Sequence, residues 1–317
     1  MTTWSLRPSP NRLLVADTIV ASSEPLAVLR PGCKVNLHLR IGKKRENGYH
    51  EIETFFYPLS EPHDVLTIHA APTGSGLFFS CEPNLPGHGP NLVERAYEAY
   101  AALAGYAPDI AVSLFKRIPA GAGLGGGSSD AAAMLRWLED TAGDKAVGEE
   151  ALSRLALGLG ADVPFFLLGR PAWAEGVGEI LTPAEVEWNS MTFLLLDPHI
   201  HVDTGWAYSA WDELARQSPP TVPLTSKAPE HKKTLFPAGT ILVNDFERVV
   251  FPGYPALRRL KESLLAEGAS VALLSGSGAC LFGMFRNPEQ ARKAAMKFAA
   301  STPPGLGRLE VHCSLEA

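Results

Sequence analysis

Between Pro119 and Ser129 the chain runs Pro-Ala-Gly-Ala-Gly-Leu-Gly-Gly-Gly-Ser-Ser, with five glycines in the seven positions from Gly121 to Gly127 and a helical pattern directly after them. This composition suits the binding of phosphate. Glycine reaches backbone dihedrals and close approaches that a Cβ forbids, so successive N–H groups can turn towards one anion. The unpaired N–H groups and positive end of the following helix add to the same seat. Ser128 is placed as the N-cap of that helix, and its hydroxyl or that of Ser129 can contact a phosphate or a Mg2+ ion. An ordinary turn needs only one or two glycines.

Familiar phosphate loops fit poorly. Gly121-x-Gly123-x-x-Gly126 matches the dinucleotide fingerprint, with Glu139 and Asp140 downstream, but Pro119 separates the apolar stretch Ile110 to Ile118 from the glycines, whereas that motif turns straight from strand into glycine. No Lys-Ser or Lys-Thr pair follows the last glycine, which removes a Walker A loop. Neither His-Arg-Asp nor Asp-Phe-Gly occurs, which removes the protein-kinase arrangement.

Pro119 through Ser129 fits the pattern P-x-x-x-G-L-G-x-G-x-S without gaps and resembles the central motif of the GHMP small-molecule kinases. Further segments narrow the resemblance to the 4-diphosphocytidyl-2-C-methyl-D-erythritol kinases within that superfamily. These are Gly32-Cys33-Lys34-Val35-Asn36-Leu37 with Asn47-Gly48-Tyr49-His50-Glu51-Ile52, and Gly160-Ala161-Asp162-Val163-Pro164-Phe165-Phe166 with Glu175-Gly176-Val177-Gly178-Glu179. Asn244-Asp245-Phe246-Glu247 and Leu274-Ser275-Gly276-Ser277-Gly278-Ala279-Cys280 complete the set. The resemblance runs from about residue 29 to the C-terminus. Where that family usually has Pro-Ala-Lys the chain has Gly32-Cys33-Lys34, for which a looser backbone is expected.

The resemblance implies an α+β protein with the two-domain GHMP kinase fold: an ATP-loop domain over 29–184, a C-terminal α+β domain over 185–317, and an active site in the cleft between them. It implies an ATP-dependent, Mg2+-assisted transfer of phosphate to the 2-hydroxyl of 4-diphosphocytidyl-2-C-methyl-D-erythritol, a step of the non-mevalonate route to isoprenoids. Phosphoryl transfer asks for positioning and charge neutralisation more than covalent chemistry. On the family pattern Asp162 is the base and Lys34 the supporting cation, while Pro119, Ala120, Gly121, Ala122, Gly123, Leu124, Gly125, Gly126, Gly127, Ser128 and Ser129 surround ATP with Asn91 and Lys116 as neighbours. Ser128 is also the candidate Mg2+ ligand. Asn36, Tyr49, His50 and, by position, Tyr208 are assigned to the substrate, a small cytidine diphosphate molecule.

The residues support part of this independently. Tyr49 and His50 follow the turn-forming Asn47-Gly48 and so project from a hairpin, where a ring can stack on a base and an imidazole can hydrogen-bond its edge. Ser275-Gly276-Ser277-Gly278 is either a second cover on the phosphates or a plain turn. His199-x-His201 is read as a surface pair without carboxylate or Cys partners, not a metal site. Two other classes stay open: a GHMP kinase acting on mevalonate, homoserine or a sugar, and a catalytically silent nucleotide-binding paralogue.

At 317 residues, with 46% hydrophobic and 20% charged residues, the chain has the make-up of an ordinary globular protein. Its net charge of −6 and the shortness of basic clusters such as Lys43-Lys44-Arg45 argue against nucleic acid as partner. Four cysteines, Cys33, Cys81, Cys280 and Cys313, lie far apart with no C-x-x-C pair, which fits a reducing cytoplasm. No apolar run approaches the length of a membrane span. Residues 1–28 have no family counterpart and are expected as an extension or added strand, since Asp17 and Glu24 do not suit a transit peptide.

Apolar periodicity predicts strands at Leu26–Ile41, Val65–Ala71, Ile110–Ile118, Met191–Leu196, Ser270–Leu274 and Ala279–Phe285. Helices are predicted from Asn91 to Gly105, with the apolar Leu92, Ala96, Tyr100 and Leu103 at helical spacing, and at Ser129–Asp140, Glu149–Leu159, Trp206–Arg216, Pro255–Glu267 and from Asn287 to Ala300. Gln217–Gly239, rich in Pro, Lys and Ser, is expected as a surface loop or lid. Asp162 falls in the turn after Gly160.

Overall fold

The structure is a computed structural model that describes residues 24–83, 89–185, 191–217, 242–301 and 306–315. Most of the 1–28 extension and of the expected 217–239 lid lies outside the described residues. The strands are β1 (Ala27–Leu29), β2 (Cys33–Lys44), β3 (His50–Leu59), β4 (Val65–Ala70), β5 (Leu77–Glu82), β6 (Ile110–Phe115), β7 (Ala172–Glu175), β8 (Ile180–Pro183), β9 (Thr192–Asp197), β10 (Val271–Leu274), β11 (Leu281–Phe285) and β12 (Glu310–Leu315). The helices are α1 (Leu92–Ala104), α2 (Gly126–Thr141), α3 (Glu149–Leu159), α4 (Val163–Leu168), α5 (Thr204–Gln217), α6 (Glu247–Gly253), α7 (Pro255–Ala266) and α8 (Pro288–Ala300).

The described residues form two compact units interleaved along the chain. The first holds the described residues up to Pro31, with His63–Arg117 and Gly127–Val163. Its sheet has the order β1-β4-β6-β5, with β5 parallel to β6 and the other pairs antiparallel. β6 is central, and its Ile110, Ala111, Val112 and Leu114 are buried, as two-sided cover requires. α1 starts at a capping box: Asn91 Oδ1 accepts the Val93 N–H and the Glu94 carboxylate accepts the Asn91 N–H. Its buried stripe is Val93, Ala96, Tyr97 and Tyr100, which keeps Ala96 and Tyr100 of the predicted positions, while Leu92 is half-buried and Leu103 is 51% exposed. α2 buries the expected Ala132, Leu135 and Leu138.

The second unit holds Gly32–Pro62, Ile118–Gly126 and the described residues from Pro164 onward. It is built of two antiparallel sheets, β2-β3-β7-β8 and β10-β11-β9-β12. Alternation along the strands sorts the side chains. Phe193, Leu195, Leu273 and Phe282 meet Val35, Leu37, Phe55 and Tyr57 of the facing sheet. Leu194, Leu196, Leu274 and Leu281 meet Ala207, Trp211, Val250, Leu257, Leu260, Leu264, Ala291 and Phe298 of the helices. Each fully buried Phe or Leu contributes about 1.5–3 kcal/mol, so the two aromatic-rich cores hold the strands from which site residues project.

The expected α+β class holds, and so do the long helices and the hydrophobic strands. β5, β7, β8, β12 and α6 lie beyond the sequence expectation, and the apolar run 163–168 is a short helix. Gly32 is tightly packed, not loose: a Cβ there would stand 2.1 Å from the Leu59 carbonyl oxygen.

Candidate active site

The glycine run belongs to the second unit up to Gly126 and to the first from Gly127. Gly121, Gly123 and Gly125 have φ of +69°, +81° and +73°, a region that favours glycine. At Gly123 and Gly125 space is also denied. A Cβ on Gly123 would lie 2.1 Å from Ser275 O, and one on Gly125 would lie 2.9 Å from the Phe166 ring and 3.3 Å from Lys34 Cγ. The second glycine turn is the clamp: Ser275 Oγ donates to Gly123 O at 2.9 Å, and the Cys280 N–H donates to Ala122 O at 3.3 Å. Asn244 holds that turn by donating to Leu274 O and Gly276 O.

Ser128 is not the N-cap. α2 begins at Gly126, so the unpaired N–H groups of its first turn are those of Gly126, Gly127 and Ser128, with no acidic residue in that turn to compete with an anion. The left-handed Gly125 already completes the turn into the helix, which removes the need for a serine cap. The Ser128 hydroxyl instead borders the turn that carries Asp162, since a Cβ on Gly160 would stand 3.9 Å from Ser128 Oγ. Asp162 itself is half-buried, between the end of α3 and the start of α4. Ser129 is buried.

Lys34 is buried, at 4% exposure, against the usual fate of a strand lysine. Its Nζ donates to Asn36 Oδ1 at 2.7 Å and lies 5.0 Å from the centre of the Phe56 ring. Asn36 Nδ2 donates to Thr54 Oγ1 at 2.9 Å, and Thr54 in turn donates to the His38 carbonyl. This chain fixes which way the Asn36 amide faces. The Lys34 N–H donates to Leu124 O at 3.0 Å, tying β2 to the glycine loop.

Of the two expected ATP neighbours, Asn91 is the cap of α1. The Lys116 ammonium lies between two buried carboxylates: it donates to Asp64, and to Asp130 Oδ2 at 2.7 Å. Its charge is committed inside the first unit, so a direct contact with ATP phosphate does not fit. Asp130 sits next to Ser129 on α2, and one of its oxygens has no hydrogen-bond partner. Burial raises its carboxyl to about 7, Lys116 opposes the rise and Asp64 adds to it. Because the folded value is raised, the stability this group contributes is present at low pH and lost as pH rises through about 7.

Asp130→Asn, which can donate to Asp64 and leaves one carboxylate for one ammonium, is therefore expected to raise Tm at pH 8 by about 1–2 °C, the effect of roughly 1 kcal/mol in a chain of this size. The gain should shrink towards pH 5. Thermal unfolding from pH 5 to 8 checks this, and a lower Tm for the variant at pH 8 would contradict it.

His50 opens β3 and is buried, stacked on Tyr208 of α5 with ring centroids 4.7 Å apart and planes 14° apart. Its Nε2 lies 2.7 Å from Asp212 Oδ1. The structure thus brings His50 and Tyr208 together and leaves Tyr49 64% exposed at the hairpin tip, where its N–H donates to Asn47 Oδ1.

Sequence reasoning left Ser275 between two readings and took His201 for a surface residue. A Cβ on Gly121 would lie 3.7 Å from His201 Nδ1, so this imidazole borders the glycine loop; no local pattern announced it. His199 has carboxylate partners after all. Pairing of β9 with β12 sets Glu310 opposite Asp197, and His199 Nδ1 lies 3.5 Å from Asp197 while Nε2 lies 3.3 Å from Glu310. Asp197, His199 and Glu310 thus bring three potential ligand atoms within 4.8 Å of one another, so the pair is not without carboxylate neighbours as the sequence suggested. Among the described residues no helix is long and apolar enough to cross a membrane.

The family model for the GHMP kinases N terminal domain matches residues 91–170, and that for the GHMP kinases C terminal matches 237–302. The 4-diphosphocytidyl-2-C-methyl-D-erythritol kinase of Solidesulfovibrio magneticus is 48% identical over 86% of this chain and 92% of its own length. That of Nitratidesulfovibrio vulgaris strain DP4 is 46% identical over 84% and 92%. A crystal structure of a 4-(cytidine 5'-diphospho)-2C-methyl-D-erythritol kinase superimposes with a TM-score of 0.71 at 35% identity, covering 92% of this chain and all of that one. Leishmania major mevalonate kinase, at 16% identity and a TM-score of 0.65, shares the fold. On these family models and relatives, the chain belongs to the 4-diphosphocytidyl-2-C-methyl-D-erythritol kinase family of the GHMP kinases and is an ATP-dependent kinase.

Proposed function

We propose that this protein transfers the γ-phosphoryl group of ATP to the 2-hydroxyl of 4-diphosphocytidyl-2-C-methyl-D-erythritol, in the cytoplasm and with Mg2+. The observation that carries the reading is the conjunction of a left-handed glycine loop with the buried Lys34, whose backbone bonds to that loop. The N–H groups of 119–129 receive the phosphates, and the open start of α2 favours their charge. Asp162 accepts the proton of the attacking alcohol, and Lys34, oriented by Asn36, steadies its oxygen as charge develops there. Ser128 and the oxygens of ATP would hold Mg2+, which neutralises phosphate charge when bound. Asn36 also faces the substrate. Tyr49, His50 and Tyr208 receive the cytosine. Asn91 and Lys116 act through structure, Asn91 by capping α1 and Lys116 by holding Asp130 at the start of α2.

The test is 31P NMR of the protein with ATP, Mg2+ and the cytidine diphosphate alcohol. One new phosphomonoester resonance should grow in step with ADP while the diphosphate bridge of the acceptor stays intact. ADP formation without a phosphomonoester would sink the proposal.

A further inference from the structure

The β2–β3 hairpin that carries Tyr49 and His50 closes on the pair Lys44 and His50, which stand opposite each other in the strand register. One carboxylate meets both. Asp212 Oδ1 lies 2.7 Å from His50 Nε2, and Asp212 Oδ2 accepts from Lys44 Nζ at 2.6 Å. Asp212 stands one helical turn beyond Tyr208 on α5, so a single helix face supplies both the ring stacked on His50 and the carboxylate bound to it. Burial works against the Asp212 charge, but the hydrogen bonds from Lys44 and His50 prevail and hold its carboxyl below the ordinary carboxylate value.

An ionised carboxylate only accepts, so the neutral imidazole beside it must carry its proton on Nε2. Nδ1 is then an acceptor. An acceptor there suits the exocyclic amine of cytosine and opposes the carbonyl that uracil has in the same place. We infer that Asp212 is a positioning residue that clips the hairpin mouth and sets the tautomer of His50, and through it the choice of cytidine over uridine. This rests on the proposed placement of the base beside His50.

The experiment compares wild type, Asp212→Asn and His50→Ala at pH 8 with the cytidine and uridine forms of the acceptor, together with 15N NMR of the His50 ring in the wild-type protein. The carboxamide of the Asp212→Asn variant can accept from Nε2–H or donate to Nε2, so it no longer selects a tautomer. Asp212→Asn should raise the cytidine acceptor KM about tenfold or more, the worth of a charge-assisted hydrogen bond, with kcat and the KM for ATP nearly unchanged. Its preference for cytidine over uridine should fall by a similar factor. The wild-type ring should show the Nε2–H form, a readout that does not depend on any variant folding. Retained KM and retained preference in Asp212→Asn, while His50→Ala loses acceptor binding, would overturn the role of Asp212 and leave the base site standing. Unaltered acceptor binding in His50→Ala would overturn both, and an Nδ1–H ring in the wild-type protein would overturn the tautomer argument by itself.

Discussion

Asp162→Asn should keep the fold and ATP affinity and lose about two to four orders of magnitude in kcat, the usual worth of a positioned proton acceptor. The amide keeps the size of the carboxylate and is at home in the turn before α4, so a purely structural Asp162 would be replaced at little cost. It cannot take a proton. Steady-state assays with nucleotide titration on the same preparation separate the two roles, and near-normal kcat would remove Asp162 from the mechanism.

The glycine loop predicts an opposite pair of outcomes for one chemical change. Gly123→Ala puts a methyl group 2.1 Å from a backbone oxygen of the Ser275 turn, at φ +81°, so either the loop or the clamp must move. Either movement turns the N–H groups of the loop away from the phosphates, so ATP affinity should fall steeply, and a misplacement of about 1 Å would by itself cost on the order of 100-fold in turnover. Gly158→Ala, inside α3 with nothing within 4 Å of the new Cβ, should leave ATP affinity intact and add up to about 1 kcal/mol of stability. Isothermal titration with an ATP analogue and thermal unfolding of both variants check the contrast. Equal ATP affinity in folded Gly123→Ala would refute the phosphate seat.

Much of the site was legible because its signals are local. A run of five glycines leading into a helix and an Asn-Gly hairpin turn each state their physics within a few residues. What escaped depends on partners distant in sequence. Asp64 and Asp130 close on Lys116 from 52 and 14 residues away, and Asp212 reaches His50 from 162. The Lys116 assignment shifted for that reason: a lysine before a phosphate loop suggests a phosphate contact until its carboxylates are seen. Gly32 looked permissive, but the carbonyl that demands a glycine there belongs to Leu59 on the neighbouring strand. The start of α2 moved from the serines to Gly126 because Gly125 makes the turn, a dihedral that residue types alone leave open. The edge strands β8 and β12 are short and half-polar, so their apolar pattern was too weak to announce them.

The most direct test of the central claim is kcat/KM with ATP for four acceptors: 4-diphosphocytidyl-2-C-methyl-D-erythritol, its uridine analogue, mevalonate and homoserine. A pocket built to hydrogen-bond one polar edge rejects the wrong one strongly, because buried donors and acceptors are left unpaired. The cytidine compound should exceed the uridine analogue by about 100-fold or more, with no turnover of mevalonate or homoserine. Equal use of the cytidine and uridine forms, or phosphorylation of mevalonate or homoserine in preference to both, would contradict the account.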